Sequence, residues 1–266
     1  MLHETYALTI RELKHWYRVR VQILMTLIQP VVWLGLFGQA FQLPIPPSAL
    51  GGAPNYFSYM AIGMLAVTTL FTCMFGGFSL VWDRRFGFLT KLKVAPIPRG
   101  AVPLSRIAAT MVRAMVQAII VFLIALAFTL IPGLVGLSLS PQFNVLDLLG
   151  LFFVLALLAL AFAAVFISIA LTIENQETLM AVVNLLNLPI MFASAALFPM
   201  TFMPQWLQTV ANCNPLTWAV DAARTFVFHS ASPINPLWLD ITALAVFCSI
   251  LVAVSFYVAK KQLSAK

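Results

Sequence analysis

The chain has 266 residues, 62% hydrophobic and only 9% charged, where a soluble domain carries roughly 25% charged residues; so little polar surface excludes a water-soluble fold and makes lipid the solvent. The net charge of +7 resides in basic residues that flank apolar runs, a pattern of topology signals and anionic-lipid contacts that argues against nucleic-acid binding. Three scattered cysteines, Cys73, Cys213 and Cys248, form no CxxC pair and read as apolar fillers, not as a disulfide or metal set.

Residues 1–20 are predicted to form an amphipathic helix on the inner leaflet. Tyr6, Ile10, Leu13 and Tyr17 recur at helical spacing, with Arg11, Lys14 and Arg18 elsewhere on the wheel. It is either a passive anchor or a helix that contacts a partner or gates the inner mouth. The apolar run that follows is long enough to cross the hydrocarbon, so it is expected to be a span and not a cleavable signal.

No charged residue occurs between Arg20 and Asp83, Arg113 and Asp147, Asp147 and Glu174, or Glu177 and Asp221. Spans are therefore predicted near 21–43, 57–81, 101–131, 146–173, 179–198 and 237–259. The prolines and glycines of 44–54 separate the first two, and Pro132-Gly133 ends the third. The expected fold is an all-α integral membrane bundle of six transmembrane helices, with the N-terminal interfacial helix and an extracytoplasmic re-entrant helical hairpin before the last span. All the basic residues except Arg224 fall on one side of this topology, which makes both termini cytoplasmic.

In the first span Gln22, Thr26, Gln29 and Trp33 share one narrow face, and polar groups in hydrocarbon need a partner or water. That face is either a hydrogen-bonding seam or the wall of a translocation pathway. The same two readings apply to Asn184, Asn187, Met191 and Ser194 in the fifth span, where Pro189 can open the backbone. Gly63, Gly76 and Gly77 in the second span allow close helix approach.

Between the second and third spans, residues 83–93 are expected to form a short helix with Phe86, Leu89 and Leu92 or Val94 as an apolar edge. It stops before Pro96 and Pro98, in a shape suited to docking into a groove on a cytoplasmic protein. The third span begins with Arg106, Thr110, Arg113 and Gln117 on one face. Both arginines are expected to snorkel to the headgroups, the alternative being contacts to a partner or to Glu174 and Glu177. Residues 199–236 read as two short helices dipping into the outer leaflet, with Trp206, Trp218 and Trp238 at the interface and an Asp221–Arg224 ion pair.

No GxxxxGK[ST] or HExxH motif is present. His3, His15 and His229 are dispersed, and Asp83, Asp147, Glu174, Glu177 and Asp240 sit at span ends and not at membrane depth. Neither catalysis, a metal site nor ATP binding is expected of this chain.

The stretch from Leu188 to Arg224, with Pro189, Pro199, Pro204, Trp206, Asn214, Pro215, Asp221 and Arg224 in place, resembles the type-2 permease family of ATP-binding cassette exporters, in particular its daunorubicin-resistance-like drug exporter permeases. The loop from Asp83 to Arg99 also looks like that family's connection between spans two and three, although the family's loop usually carries glutamates flanking its glycine and this one has Arg85 before Phe86-Gly87 and Lys91 further on. The resemblance covers essentially the whole chain and implies a single permease domain, 1–266, with residues 82–100 as a coupling loop. Arg84, Arg85, Gly87, Leu89, Leu92, Pro96 and Arg99 would contact a cytoplasmic ATPase present in two copies, which holds the ATP and Mg. The permease would pair with itself or a relative in the plasma (inner) membrane, the first and fifth spans lining a path for an amphipathic drug, lipid or natural product. Polysaccharide or glycolipid export and a non-transporting scaffold are the alternatives.

Overall fold

The computed structural model describes residues 2–41, 45–87, 98, 100–229 and 233–264. These residues form helices without any strand: α1 Leu2–Arg18, α2 Arg20–Ala40, α3 Tyr56–Arg85, α4 Ala101–Ala127, α5 Val145–Thr172, α6 Gln176–Phe192, α7 Gln205–Asn212, α8 Pro215–Phe228 and α9 Leu237–Ser264. Four of them, α3, α4, α5 and α9, are long and apolar enough to cross a membrane.

Asparagine starts four helices. Asn55, Asn144, Asn175 and Asn214 each accept a backbone N–H from the first turn of α3, α5, α6 and α8, and Asn144 forms a reciprocal capping box with Asp147. Such caps matter where helix ends approach lipid, because an unpaired amide there has no water to turn to.

α3 is the central post, packed against α2, α4, α5, α6 and α8, while α5 bridges α3 to α9. The closest approach is at Gly63, where a Cβ would collide with the Ala196 carbonyl oxygen, so only glycine fits beneath the chain that leaves α6. At 30 residues, α3 is about 45 Å long at 1.5 Å per residue. That exceeds a hydrocarbon layer of roughly 30 Å, so its charged end projects beyond it.

Two expected boundaries move. The short helix expected over 83–93 does not begin at Asp83: α3 continues through Arg85, and Gly87 then adopts φ +71°. A left-handed residue ends a helix and favours glycine. The fifth span, expected to reach 198, ends as a helix at Phe192, with Pro189 in its last turn and the chain folding back from Ala193.

Candidate functional site

The end of the bundle that carries α1 is organised around one carboxylate. Glu12 of α1 is 5% exposed, and its Oε2 accepts from Arg106 Nη1 at 2.9 Å and Arg113 Nη2 at 3.4 Å, both on α4. Its Oε1 accepts from Arg11 at 2.9 Å. Arg106 also donates to Ser79 Oγ at 2.8 Å and to Asp83 at the end of α3. Asp83 in turn lies 3.5 Å from Arg11. Arg113 donates to the Glu12 backbone carbonyl at 2.8 Å. Three helices are thus tied by five charged side chains.

The arginines therefore do not snorkel to headgroups as their position at a span end suggests. α1 places a carboxylate over them, and pairing inside a low-dielectric site replaces hydration. The sequence signal for this was a second stripe on α1, one residue before the apolar one: Thr5, Thr9, Glu12 and Trp16. Thr5 and Glu12 are buried, and Thr9 Oγ1 donates to the Ser105 carbonyl at 3.3 Å. The apolar stripe points away, with Tyr6 66% and Tyr17 67% exposed and Ile10 and Leu13 half-buried. α1 thus turns its polar face inward and leaves its apolar face exposed.

Arg84, the next residue along α3, donates to the Leu171 carbonyl at 2.7 Å and the Ile173 carbonyl at 3.2 Å, and lies 4.0 Å from Glu174. A cation on the last carbonyls of α5 complements the helix dipole. The end of α3, immediately before residues 88–97, is consequently fixed to α1, α4 and α5 together. Gly87 is described, whereas Leu89, Leu92, Pro96 and Arg99, and the side chains of Arg85 and Gln22, lie outside the described residues.

The candidate pathway residues divide. Thr26 accepts from Gln117 Nε2, and Gln117 Oε1 accepts from Thr72, so Thr26 belongs to a buried seam joining α2, α4 and α3. Gln29 is half-buried, and Trp33 stacks on Phe37 at 4.5 Å. On α6, Asn187 and Met191 are buried on the packing stripe with Leu179 and Val183, while Asn184 is on the exposed face. The Asn187 Oδ1 atom is buried without a hydrogen-bond partner. The broad shared face expected for Asn184 and Asn187 is therefore split between surface and interior.

The opposite end is held mainly by hydrogen bonds to backbone carbonyls. Where α6 stops, Asn214 donates to the Ile190 and Ala193 carbonyls at 2.8 and 2.7 Å, and Thr217 Oγ1 accepts from the Ala195 amide at 3.1 Å. Tyr59 and Tyr56 donate to the Ala195 and Leu197 carbonyls at 2.7 and 3.0 Å. Arg224, 1% exposed, donates to the carbonyls of Ala195, Ala196 and Tyr59 at 2.8–3.1 Å. Its guanidinium also lies 3.4 Å from the centre of the Tyr59 ring.

The direct Asp221–Arg224 ion pair expected from spacing is not formed. The break in α6 presents bare carbonyls to Arg224, and Asp221 accepts instead from the Asn235 amide at 2.9 Å. Pro199 is buried, Pro204 precedes α7 and Pro215 opens α8, each where a missing N–H costs nothing. Trp206 and Trp238 are exposed, while Trp218 donates to the Asn212 carbonyl at 2.7 Å. Among the described residues no group of three or more His, Cys, Asp or Glu could hold a metal ion.

Residues 3–228 match the family model described as ABC-2 type transporter. The chain is 32% identical over 233 residues, 86% of this chain and 76% of the other, to the provisionally named transport permease ycf38 of Cyanophora paradoxa. A ycf38 permease of Porphyra purpurea is 28% identical over 84% of this chain and 74% of its own length. The provisionally named doxorubicin resistance ABC transporter permease protein DrrC of Mycobacterium tuberculosis is 24% identical over 95% of this chain and 88% of its own.

Proposed function

We propose, for a chain that belongs to the ABC-2 type transporter family and is thus a multi-pass membrane transport permease subunit, that it forms the pathway of an ATP-driven exporter of amphipathic compounds. In this reading α2 and α6 join the four long helices as spans, giving six, with both termini cytoplasmic. α2 has 21 residues, about 31 Å at 1.5 Å per residue, and α6 is extended by the folded segment that follows it. The hairpin of α7 and α8 enters the outer leaflet without crossing it. Two permeases pair and engage two cytoplasmic ATPase subunits, which bind ATP and Mg.

The observation that carries the coupling is the anchoring of the end of α3. Asp83 and Arg84 stand at the start of the proposed coupling loop, on the last turn of α3, and are fixed to α1, α4 and α5. A displacement of the loop therefore moves four helices as one body, the rigid element that an inward-to-outward switch requires. Asn184, Gln29 and Trp33 remain candidates to face cargo, whereas Thr26 and Asn187 serve packing in this conformation. The doxorubicin resistance named for the DrrC relative supports an amphipathic drug-like cargo.

The test is co-expression with a candidate ATP-binding cassette ATPase from the same genome, followed by co-purification and ATP turnover in lipid, with and without Leu92→Asp. A complex that turns over ATP, and loses both properties in the variant, is the expected result. A wild-type chain that binds no ATPase would favour a non-transporting scaffold.

A further inference from the structure

Two carboxyl side chains meet where α8 and α9 pack together, at the end opposite α1. Asp221 on α8 is 2% exposed, and Asp240, in the first turn of α9, is 1% exposed. Asn235 clamps both: its backbone N–H donates to Asp221 Oδ2 at 2.9 Å and its side-chain amide to Asp240 Oδ1 at 3.0 Å. The two carboxyl groups also stand within hydrogen-bonding reach of each other. Asp240 Oδ2 is nevertheless buried with no N–H or O–H donating to it. The first turn of a helix favours a carboxylate through its dipole, but no amide reaches this oxygen.

Facing carboxyl groups complete such a contact when one proton lies between them; ionised together, they repel and leave Oδ2 without the hydration lost on burial. The surrounding charges agree with one proton. Arg224 of α8 is the cation beside Asp221, with Tyr59 and Tyr56 of α3 next to it. Asp147 at the start of α5 lies 3.4 Å from His229 in a separate, partly exposed contact. α7 has no titratable side chain, residues 230–232 are Ser-Ala-Ser, and the charged residues of α4, Arg106 and Arg113, lie toward its other end. One arginine with two carboxylates leaves a negative charge in the interior, and a single proton brings the buried set to neutrality.

We propose that Asp221 and Asp240 form a proton-binding site, one proton being held between them as a carboxyl that donates to a carboxylate, and that this bond ties α8 to α9. An ordinary aspartate has lost its proton above about pH 4, so the folded chain binds one more proton than the unfolded chain. Stability of the α8–α9 contact is therefore fully present at low pH and falls as pH rises and the pair gives up its proton. The site needs neither ATPase nor cargo and stands apart from the exporter reading.

The test is infrared difference spectroscopy of the purified full chain in phosphatidylcholine vesicles, wild type against Asp240→Asn. At about pH 6, where an ordinary aspartate is ionised, the wild type is expected to show a protonated-carboxyl C=O band that shifts in D2O and is missing from the variant. The band should disappear reversibly as pH is raised to about 10, and the wild-type Tm should fall over the same rise. In Asp240→Asn the amide can donate to Asp221 in place of the proton, so that part of the fall should be lost. Asn235→Ala, a milder change, should shift the band by removing the donor to Asp240 Oδ1, and it decides the matter if Asp240→Asn does not fold. Absence of the band at about pH 6, as when a metal cation bridges two carboxylates, would overturn the proposal. So would a band that persists in folded Asp240→Asn, is unmoved by Asn235→Ala, or does not respond to pH. Each of these results leaves the exporter reading standing, and a chain that binds no ATPase leaves this site untouched.

Discussion

The two ends of the bundle solve the problem of buried polar groups in opposite ways. At the end that carries α1, five charged side chains on α1, α3 and α4 pair with one another, and removing any one strands its partners. At the opposite end, the buried cation Arg224 is held by backbone carbonyls and a tyrosine ring, beside the amide and hydroxyl donors that close the break in α6. Charge–charge contacts between separate helices respond to an added charge or a displaced partner. Contacts to backbone carbonyls, which carry no net charge, respond less. The end that carries α1 is thus the part suited to change state, and the opposite end the part suited to stay closed.

Substitutions can break this contrast. The largest effect is expected from Glu12→Gln: three arginines lose their shared carboxylate, a loss of about 3–5 kcal/mol for a buried cluster. Hydrogen exchange should rise throughout α1 while α8 remains protected. Protection retained in α1 would mean that the cluster does not hold it. Next comes Arg224→Met, which removes charged donors from three carbonyls at about 1.5–3 kcal/mol for a single such bond. Its signature is a lower Tm in detergent with increased exchange at 193–197 and unchanged exchange in α1.

Thr26→Val combined with Gln117→Leu replaces both ends of a seam bond by apolar groups. A change of about 1 kcal/mol or less in stability is expected, with export unchanged at normal expression. A lost or altered cargo range would return Thr26 to the pathway. Trp206→Ala, at an exposed position on α7, is expected to shift stability by no more than about 0.5 kcal/mol, read by the same thermal unfolding.

Much of this architecture could be read from charge spacing and proline placement. The long apolar runs located α3, α4, α5 and α9 to within a few residues, because the part of a span at hydrocarbon level carries little charge. Gly63 and Gly76 were legible for the same reason: small residues mark close backbone approach, and Ala196 and Thr110 sit directly above them. What could not be read was pairing between helices distant in sequence. Arg106 and Arg113 look alike whether they face headgroups or Glu12, which lies nearly a hundred residues away. Asp221 and Arg224 have the spacing of an ion pair, yet the carbonyls freed where α6 ends compete for the guanidinium. The Thr5, Thr9, Glu12 and Trp16 stripe was available in the sequence but was overshadowed by the more apolar stripe beside it.

The central claim is that the end of α3 transmits loop movement through the Asp83–Arg106–Glu12 chain. It is tested most directly by measuring export per ATP hydrolysed in proteoliposomes for the wild-type complex and for Asp83→Asn. This account predicts that the variant still assembles with the ATPase and hydrolyses ATP, while export per ATP falls about tenfold or more, the equivalent of about 1.4 kcal/mol in coupling. Export per ATP at the wild-type level in an assembled Asp83→Asn complex would contradict it.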